Sequence, residues 1–431
     1  MTDTLLPREK LLDLLKEASD VFRLASSKTK ILATLSWSES VAQDFFKYGA
    51  TRLPEPVYNV DRKGLEEALE ALRTIQMKIS GKHPVLEWLQ RTYESFENGI
   101  RLLQTIETPE FFQASAAVYG SCSSPVGSGK TTMLDLAVDV SGRMVACSLQ
   151  NLEEKAAVKT AKEFAADLEM RLAARKPYMP VRVEITPHLS AKIAASATRI
   201  RIRENAEFSL MELEALWNHE VESHCLTGQN GMAQKNIPFL SGGGPRTTRT
   251  QEGIAVFYEI FGHSMSQMRF IRLCNRIEAI NNVEKGADFI ELYRWFLLRS
   301  ETPQEAFYDT QRIFRGAILG GKYPFTKDAV YLAGLLEVYQ FLQSSVRIQD
   351  RILVESLVTG RIALEDVGVI AWLRLHGIVD PPVFIPGWLS NWEALLSFFS
   401  FFSVVLNSVD MTSFDSYLEA HRDVHEWKVP V

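Results

Sequence analysis

Cysteine is scarce in this chain. There are four in 431 residues, Cys122, Cys147, Cys225 and Cys274, with no CxxC spacing, so a reducing, cytoplasmic setting fits better than a disulfide scaffold. An excess of basic charge is lacking too: 47 Lys and Arg stand against 53 Asp and Glu, for a formal net charge of −6, which argues against a broad nucleic-acid surface. Long apolar runs are missing. The longest, Ala394 to Leu406, is about 13 residues and is interrupted by serines, whereas a bilayer span needs about 20, so a buried helix is expected there and no membrane association. The N-terminus, where Asp3, Arg8, Glu9 and Lys10 flank only short apolar runs, does not read as a signal peptide. What is present, 46% hydrophobic and 23% charged residues, is the composition of an ordinary protein with a core of two or three layers.

Taken in order, Leu11, Leu15, Ala18 and Phe22 mark one face of a helix opened by Pro7, and a less regular segment follows through Trp37 and Phe45 to Pro54 and Pro56. Leu65 to Ile79 and Val85 to Leu103 predict two more helices, the second ending near Pro109, so residues 1–110 read as a helical layer. The run Ser124-Pro125-Val126-Gly127-Ser128-Gly129-Lys130-Thr131 imitates a phosphate-binding loop. It lacks the first glycine, a preceding apolar strand and a later acidic strand end, so it is read as an exposed loop before a helix around Met133 to Val138. Ala156 to Ala174 reads as a surface helix. Val181, Val183 and Ile185, then Ile200 and Ile202, alternate with polar residues and predict two strands.

Those strands lead into the most informative stretch. Ser209 with Glu212 forms a capping box, and Leu210, Leu213, Leu216 and Trp217 continue a helix into His219-Glu220-Val221-Glu222-Ser223-His224. Two histidines four apart share a helix face, but these are five apart, and on a regular helix the second ring would point about 140° from the first. A π-bulge within Glu220 to His224 is therefore predicted if the pair is to chelate. Two imidazoles leave a catalytic zinc needing a third protein ligand. Glu252 is the candidate, reached through the foldable Ser241 to Pro245 loop and presented in the first turn of a helix that Thr250 could cap, with Gly253 permitting close backbone approach. Glu220, beside a ligand but not needed on the metal, is the candidate general base for zinc-bound water.

Four segments, Arg199 to Ala206, His219 to Gly231, Thr250 to Tyr258 and Thr326 to Gly334, resemble the QEGLA-motif proteins. These are a family long described as a domain of unknown function and, in bacteria, as flavohaemoglobin expression-modulating, and the family includes the microtubule-associated tyrosine carboxypeptidases of animals. The fingerprint stands as Gln251 to Ala255, with Ile254 in place of leucine. The resemblance implies a zinc metallopeptidase in which His219, His224 and Glu252 bind the metal and Glu220 is the general base. Further candidates are Glu259, two turns beyond Glu252, to orient a ligating imidazole, and Tyr331 to stabilise the tetrahedral oxyanion. Arg315 and Lys327 are candidates to receive a substrate C-terminal carboxylate. Arg201 is weighed equally as a substrate residue and as part of a solvated strand face. His421, His425 and Glu426 form a weaker second chelating set near the C-terminus.

The expected architecture is α+β, mainly helical, with a small β-sheet preceding the metal-binding helix. Residues 111–345 would form a catalytic core between the 1–110 layer and a C-terminal helical region, 346–431, all one unit. The expected activity is zinc-dependent hydrolysis of a peptide bond near the C-terminus of a peptide or protein. The rival is a non-catalytic regulatory or peptide-binding protein that retains a structural metal site, in which an intact Glu220 would have no use.

Overall fold

The computed structural model describes residues 7–127, 129–146, 158–187, 189, 191–300 and 302–406. Among these the chain is mostly helical, with two small sheets. Helices α1 (Arg8–Lys28), α2 (Ile31–Thr34), α3 (Glu39–Lys47), α4 (Arg62–Gln76), α5 (Pro84–Gln104) and α6 (Pro109–Tyr119) form the N-terminal part. One expectation fails here. The segment around Trp37 and Phe45 contains α2 and α3, the latter held because Phe45 and Phe46 pack against Tyr293 and Phe307. The helix expected to end near Pro109 does so at Gln104, and Pro109 itself opens α6, since proline at a first helical position gives up no needed N–H.

After α7 (Met133–Ala146), strand β1 (Val158–Thr160) leads into α8 (Ala161–Ala174) through a Thr160–Glu163 capping box. α8 starts later than its composition suggests, and it is not merely superficial, because Phe164, Leu168 and Leu172 are buried. Strands β2 (Arg182–Thr186), β3 (Ile193–Ala195) and β4 (Arg199–Arg203) form one sheet in the order β2-β4-β3, with β2 parallel and β3 antiparallel to β4. β5 (Glu207–Ser209) pairs with β1. The two predicted strands thus exist and neighbour each other. The three-residue strands were invisible to a period-two pattern.

From β5 the chain enters α9 (Leu210–Leu216), a π-helix over Trp217–Cys225 and α10 (Leu226–Met232). The chain continues with α11 (Thr247–Phe261), α12 (Gln267–Glu284), α13 (Phe289–Leu297), α14 (Pro303–Phe314) and α15 (Ala329–Arg347). Helices α16 (Arg351–Leu357), α17 (Val367–Leu375), α18 (Gly387–Ser390) and α19 (Trp392–Leu406) follow. In α19 Leu395 and Phe399 are buried, as the apolar run predicted. One apolar core runs from Leu11 to Phe399 through all these parts. Among the described residues no helix is long and apolar enough to cross a membrane.

A tight contact between two helices places the site. α11 and α15 touch where Gly253 meets Gly334, and a Cβ on Gly253 would collide with the Gly334 carbonyl. A backbone contact this tight needs glycine on both sides, and it sets the depth of Glu252, the residue beside it.

Candidate metal centre and cleft

The five-residue histidine spacing is resolved as physics demands, though over a longer stretch than the predicted bulge. The whole of Trp217–Cys225 is π-helical, and its wider turn puts residues five apart on one face. Ser223 stabilises this by donating its hydroxyl to the Asn218 carbonyl at 2.7 Å, and the Thr227 hydroxyl lies within hydrogen-bond distance of both the Ser223 carbonyl and Gln251 Oε1. The rings of His219 and His224 come to lie 4.9 Å apart.

Glu252 arrives from α11. Its Oε2 lies 3.4 Å from His219 Nε2 and 3.6 Å from His224 Nε2, and one ligand atom from each of the three residues falls within 4.8 Å of the others. That Oε2 is buried and has no hydrogen-bond partner. The other oxygen, Oε1, accepts from Lys327 Nζ at 2.8 Å. Burial works against charge on Glu252, but Lys327 and the two imidazoles outweigh it and hold its carboxyl well below the usual range. Burial likewise opposes charge on His219, yet Glu252 and Glu259 push the imidazole up to about 10, which marks a spot whose surroundings favour positive charge.

Glu259, fully buried, meets His219 Nδ1 at 2.6 Å and is itself gripped by the Arg269 guanidinium through both oxygens. With Nδ1 engaged by a carboxylate, Nε2 is the nitrogen left to face His224 and Glu252. Thr250 caps nothing: α11 begins at Thr247, and the Thr250 hydroxyl accepts from the Leu364 amide.

A cleft of about 250 Å³ opens beside His219 and Glu220. Glu220 is buried to all but 8% of its surface, and among the described residues no hydrogen bond or ion pair engages its carboxylate. Tyr331 lines the same cleft, its hydroxyl accepting from Lys327 Nζ at 3.0 Å and Arg312 Nη2 at 3.2 Å. Seven Lys or Arg side chains and four Asp or Glu side chains line the cleft, so its charge favours an anionic occupant.

The other sequence candidates divide. Arg315 lines the cleft. Lys327 does not. It is 4% exposed and bound to Glu252 and Tyr331, which places it behind the metal-ligand group rather than on the cleft wall where a substrate carboxylate was expected to meet it. Arg201 sits on the exposed face of β4 outside the cleft lining, which favours the solvated-face alternative. His421, His425 and Glu426 lie outside the described residues. The phosphate-loop imitation follows helix α6 rather than a strand and turns back on itself, with Val126 N bonded to the Thr131 carbonyl. Sequence reading missed Arg269, Arg276, Arg312 and Asp328. One signal was available: Arg269, Arg272 and Arg276 recur at helical spacing on α12 and all line the cleft.

An α+β chain in which two imidazoles and a carboxylate converge beside a basic cleft belongs to the class of proteins with a buried group able to hold a metal ion. The model of the microtubule-associated tyrosine carboxypeptidase family matches residues 43–407, and the chain belongs to that family. No curated protein matches the chain significantly. Membership supports a carboxypeptidase-like hydrolase, in agreement with the resemblance read from the QEGLA-type segments.

Proposed function

We propose that the chain is a zinc-dependent metallopeptidase of carboxypeptidase type, acting on the C-terminus of a peptide or protein. Tyrosine is the first terminal residue to test, because the family is named for it. The observation that carries this reading is the convergence of His219 Nε2, His224 Nε2 and a buried, unpartnered Glu252 oxygen next to the unengaged Glu220 carboxylate. Two nitrogens and one oxygen are a donor set suited to catalytic zinc, which takes three protein ligands and keeps one position open. When bound, zinc supplies Lewis acidity, making water a nucleophile near neutral pH and polarising a carbonyl.

The chain's own residues do the rest. The Glu220 carboxylate accepts the proton of the attacking water and returns it to the leaving nitrogen. The Tyr331 oxygen already accepts from Lys327 and Arg312, so its hydrogen is left to donate to the substrate carbonyl oxygen as that oxygen gains charge. Lys327 fixes Glu252, and Glu259 fixes His219. Strand β3 offers a template for extended substrate. The amides of Arg203 and Ser196 bond to the carbonyls of Lys192 and Arg199, so residues 192, 194 and 196 face β4, and the backbone groups of Ile193 and Ala195 point away from it.

Glu220→Gln tests the reading. Turnover of a tyrosine-ended peptide should fall by about 10²–10⁴-fold with zinc content unchanged. A variant as active as the wild type would remove Glu220 from the chemistry.

A further inference from the structure

A second cavity, of about 450 Å³, shares no lining residue with the cleft beside His219. Its size falls within the roughly 300–1,000 Å³ of small-molecule sites. Two helix stripes build it. Ala333, Leu336, Glu337 and Gln340 recur on α15 at three- and four-residue steps, and Arg246, Arg249 and Thr250 do the same where α11 begins. The loop that imitates a phosphate site supplies another wall: Val126 and Met133 are buried and line the cavity, held by a bond from the Met133 amide to the Ser124 carbonyl. A run that copies a phosphate loop in sequence is thus part of a pocket in the structure.

Polar groups in these walls have bonding capacity left over. Gln340 is 6% exposed, yet among the described residues its side-chain amide has no hydrogen-bond partner. An occupant that bonds to a buried, unpaired amide removes the penalty of leaving it unpaired. Thr250 is buried too, and its hydroxyl accepts from the Leu364 amide at 2.8 Å while its own hydrogen has no acceptor among the described residues. Glu337 takes Arg249 Nη1 at 3.0 Å through Oε1, which leaves Oε2 unengaged.

The charges of the lining select the occupant. Arg249 is paired with Glu337 and Arg246 with Glu365, so neither sign is in surplus. An ion of one sign gains no net attraction, and phosphate would lie against two carboxylates. A zwitterion differs. The ammonium and carboxylate of an α-amino acid hang on one carbon, so they can lie alongside the Arg249–Glu337 pair, each opposite its complement, without breaking it.

We propose that this cavity is a binding site for a free α-amino acid with an apolar side chain. The ammonium donates to Glu337 Oε2 and Gln340 Oε1, the carboxylate accepts from Arg249 and the Thr250 hydroxyl, and the side chain lies on Val126, Met133 and Leu336. Such a site needs no metal and does not depend on the peptidase reading. Its occupant bridges α11 and α15, the two helices whose contact at Gly253 and Gly334 sets the depth of Glu252.

The test is a ligand-observed NMR titration of the full-length protein with L-phenylalanine, L-phenylalanine amide, N-acetyl-L-phenylalanine and inorganic phosphate. Phenylalanine should bind with a Kd of about 1 mM or tighter, as suits a ligand of its size. The amide lacks the carboxylate and the acetylated form lacks the ammonium, so each should bind about tenfold or more weakly. Glu337→Gln should bring phenylalanine and its acetylated form to within about threefold of each other. Gln340→Leu, shown to be folded by circular dichroism, should weaken phenylalanine about tenfold. If it does not fold, Leu336→Trp, at a partly buried wall position, fills the cavity and should abolish binding. No binding of phenylalanine at about 10 mM would overturn the proposal, and so would phosphate that displaces it at equal concentration. Binding kept in full by Glu337→Gln and Gln340→Leu but lost in Arg276→Gln, a variant of the other cleft, would overturn it as well.

Discussion

Removing the Glu259 carboxylate should weaken metal binding without touching any ligand. Glu259 is fully buried on α11, takes His219 Nδ1 at 2.6 Å and pairs with Arg269 through both oxygens. In Glu259→Ala the imidazole loses the partner that fixes its tautomer and tilt, and losses of this kind lower metal affinity by about 10–100-fold, or roughly 1.4–2.8 kcal/mol. Arg269 is stranded as well, but its side chain is 32% exposed and water can reach it. The accompanying loss of stability should therefore lie near or below the lower end of the roughly 3–5 kcal/mol seen when a fully buried pair is broken. Glu259→Gln keeps an acceptor for Nδ1 and should stay within about tenfold of wild type. Zinc affinity is read by competition against a chromogenic chelator at neutral pH, with a melting curve for each variant to establish folding. Folded Glu259→Ala binding zinc within twofold of wild type would refute the argument that this carboxylate orients His219.

Three further outcomes are expected. Tyr331→Phe should lower kcat by about 10²–10³-fold with little change in KM, since the hydroxyl acts on charge that develops during reaction; a raised KM with kcat intact would make it a binding residue instead. Gly253→Ala forces a Cβ into the Gly334 carbonyl, a backbone atom that cannot swing aside. It should destabilise by about 1–3 kcal/mol in denaturant titration and reduce zinc uptake by shifting Glu252, whereas wild-type stability would mean that the α11–α15 contact is looser than described. For Asp328, burial raises the cost of charge, but Arg312 and Arg276 outweigh it and hold the carboxyl far below its ordinary range. A depressed folded-state pKa stabilises fully above the unfolded value of about 3.9 and loses that contribution as pH falls through the folded one. The stability deficit of Asp328→Asn should therefore be complete at neutral pH and shrink below about pH 4, and a deficit constant down to pH 3 would contradict the pairing.

The parts legible in the sequence were those written locally. The Ser209–Glu212 box, the alternation at Ile200 and Ile202, and a histidine spacing that a regular helix cannot use all carried their structural consequence within a few residues. Glu252 was reachable because the zinc chemistry demanded a third ligand and the family fingerprint pointed to one. What local pattern could not carry was pairing between distant helices. Lys327 looked like a free cation until α15 packed on α11 and closed it against Glu252, 75 residues away. Gln251 gave no sign that its side chain would accept from Thr227 across to the helix beyond the π-turn. The basic face of α12 acquired meaning only when α12 and α14 were seen to wall one cleft. Phe45 and its neighbours read as irregular because their helix is short and gains its order from aromatic rings more than 240 residues further along.

The central claim, a three-ligand metal centre, is tested most directly by elemental analysis of protein purified without added zinc, as wild type, His224→Ala and Glu252→Ala. One zinc per chain in the wild type, lost from both variants while their folds persist, is the predicted result. Wild-type protein that is metal-free and takes up no zinc on addition would contradict it, and so would zinc retained in full by both variants.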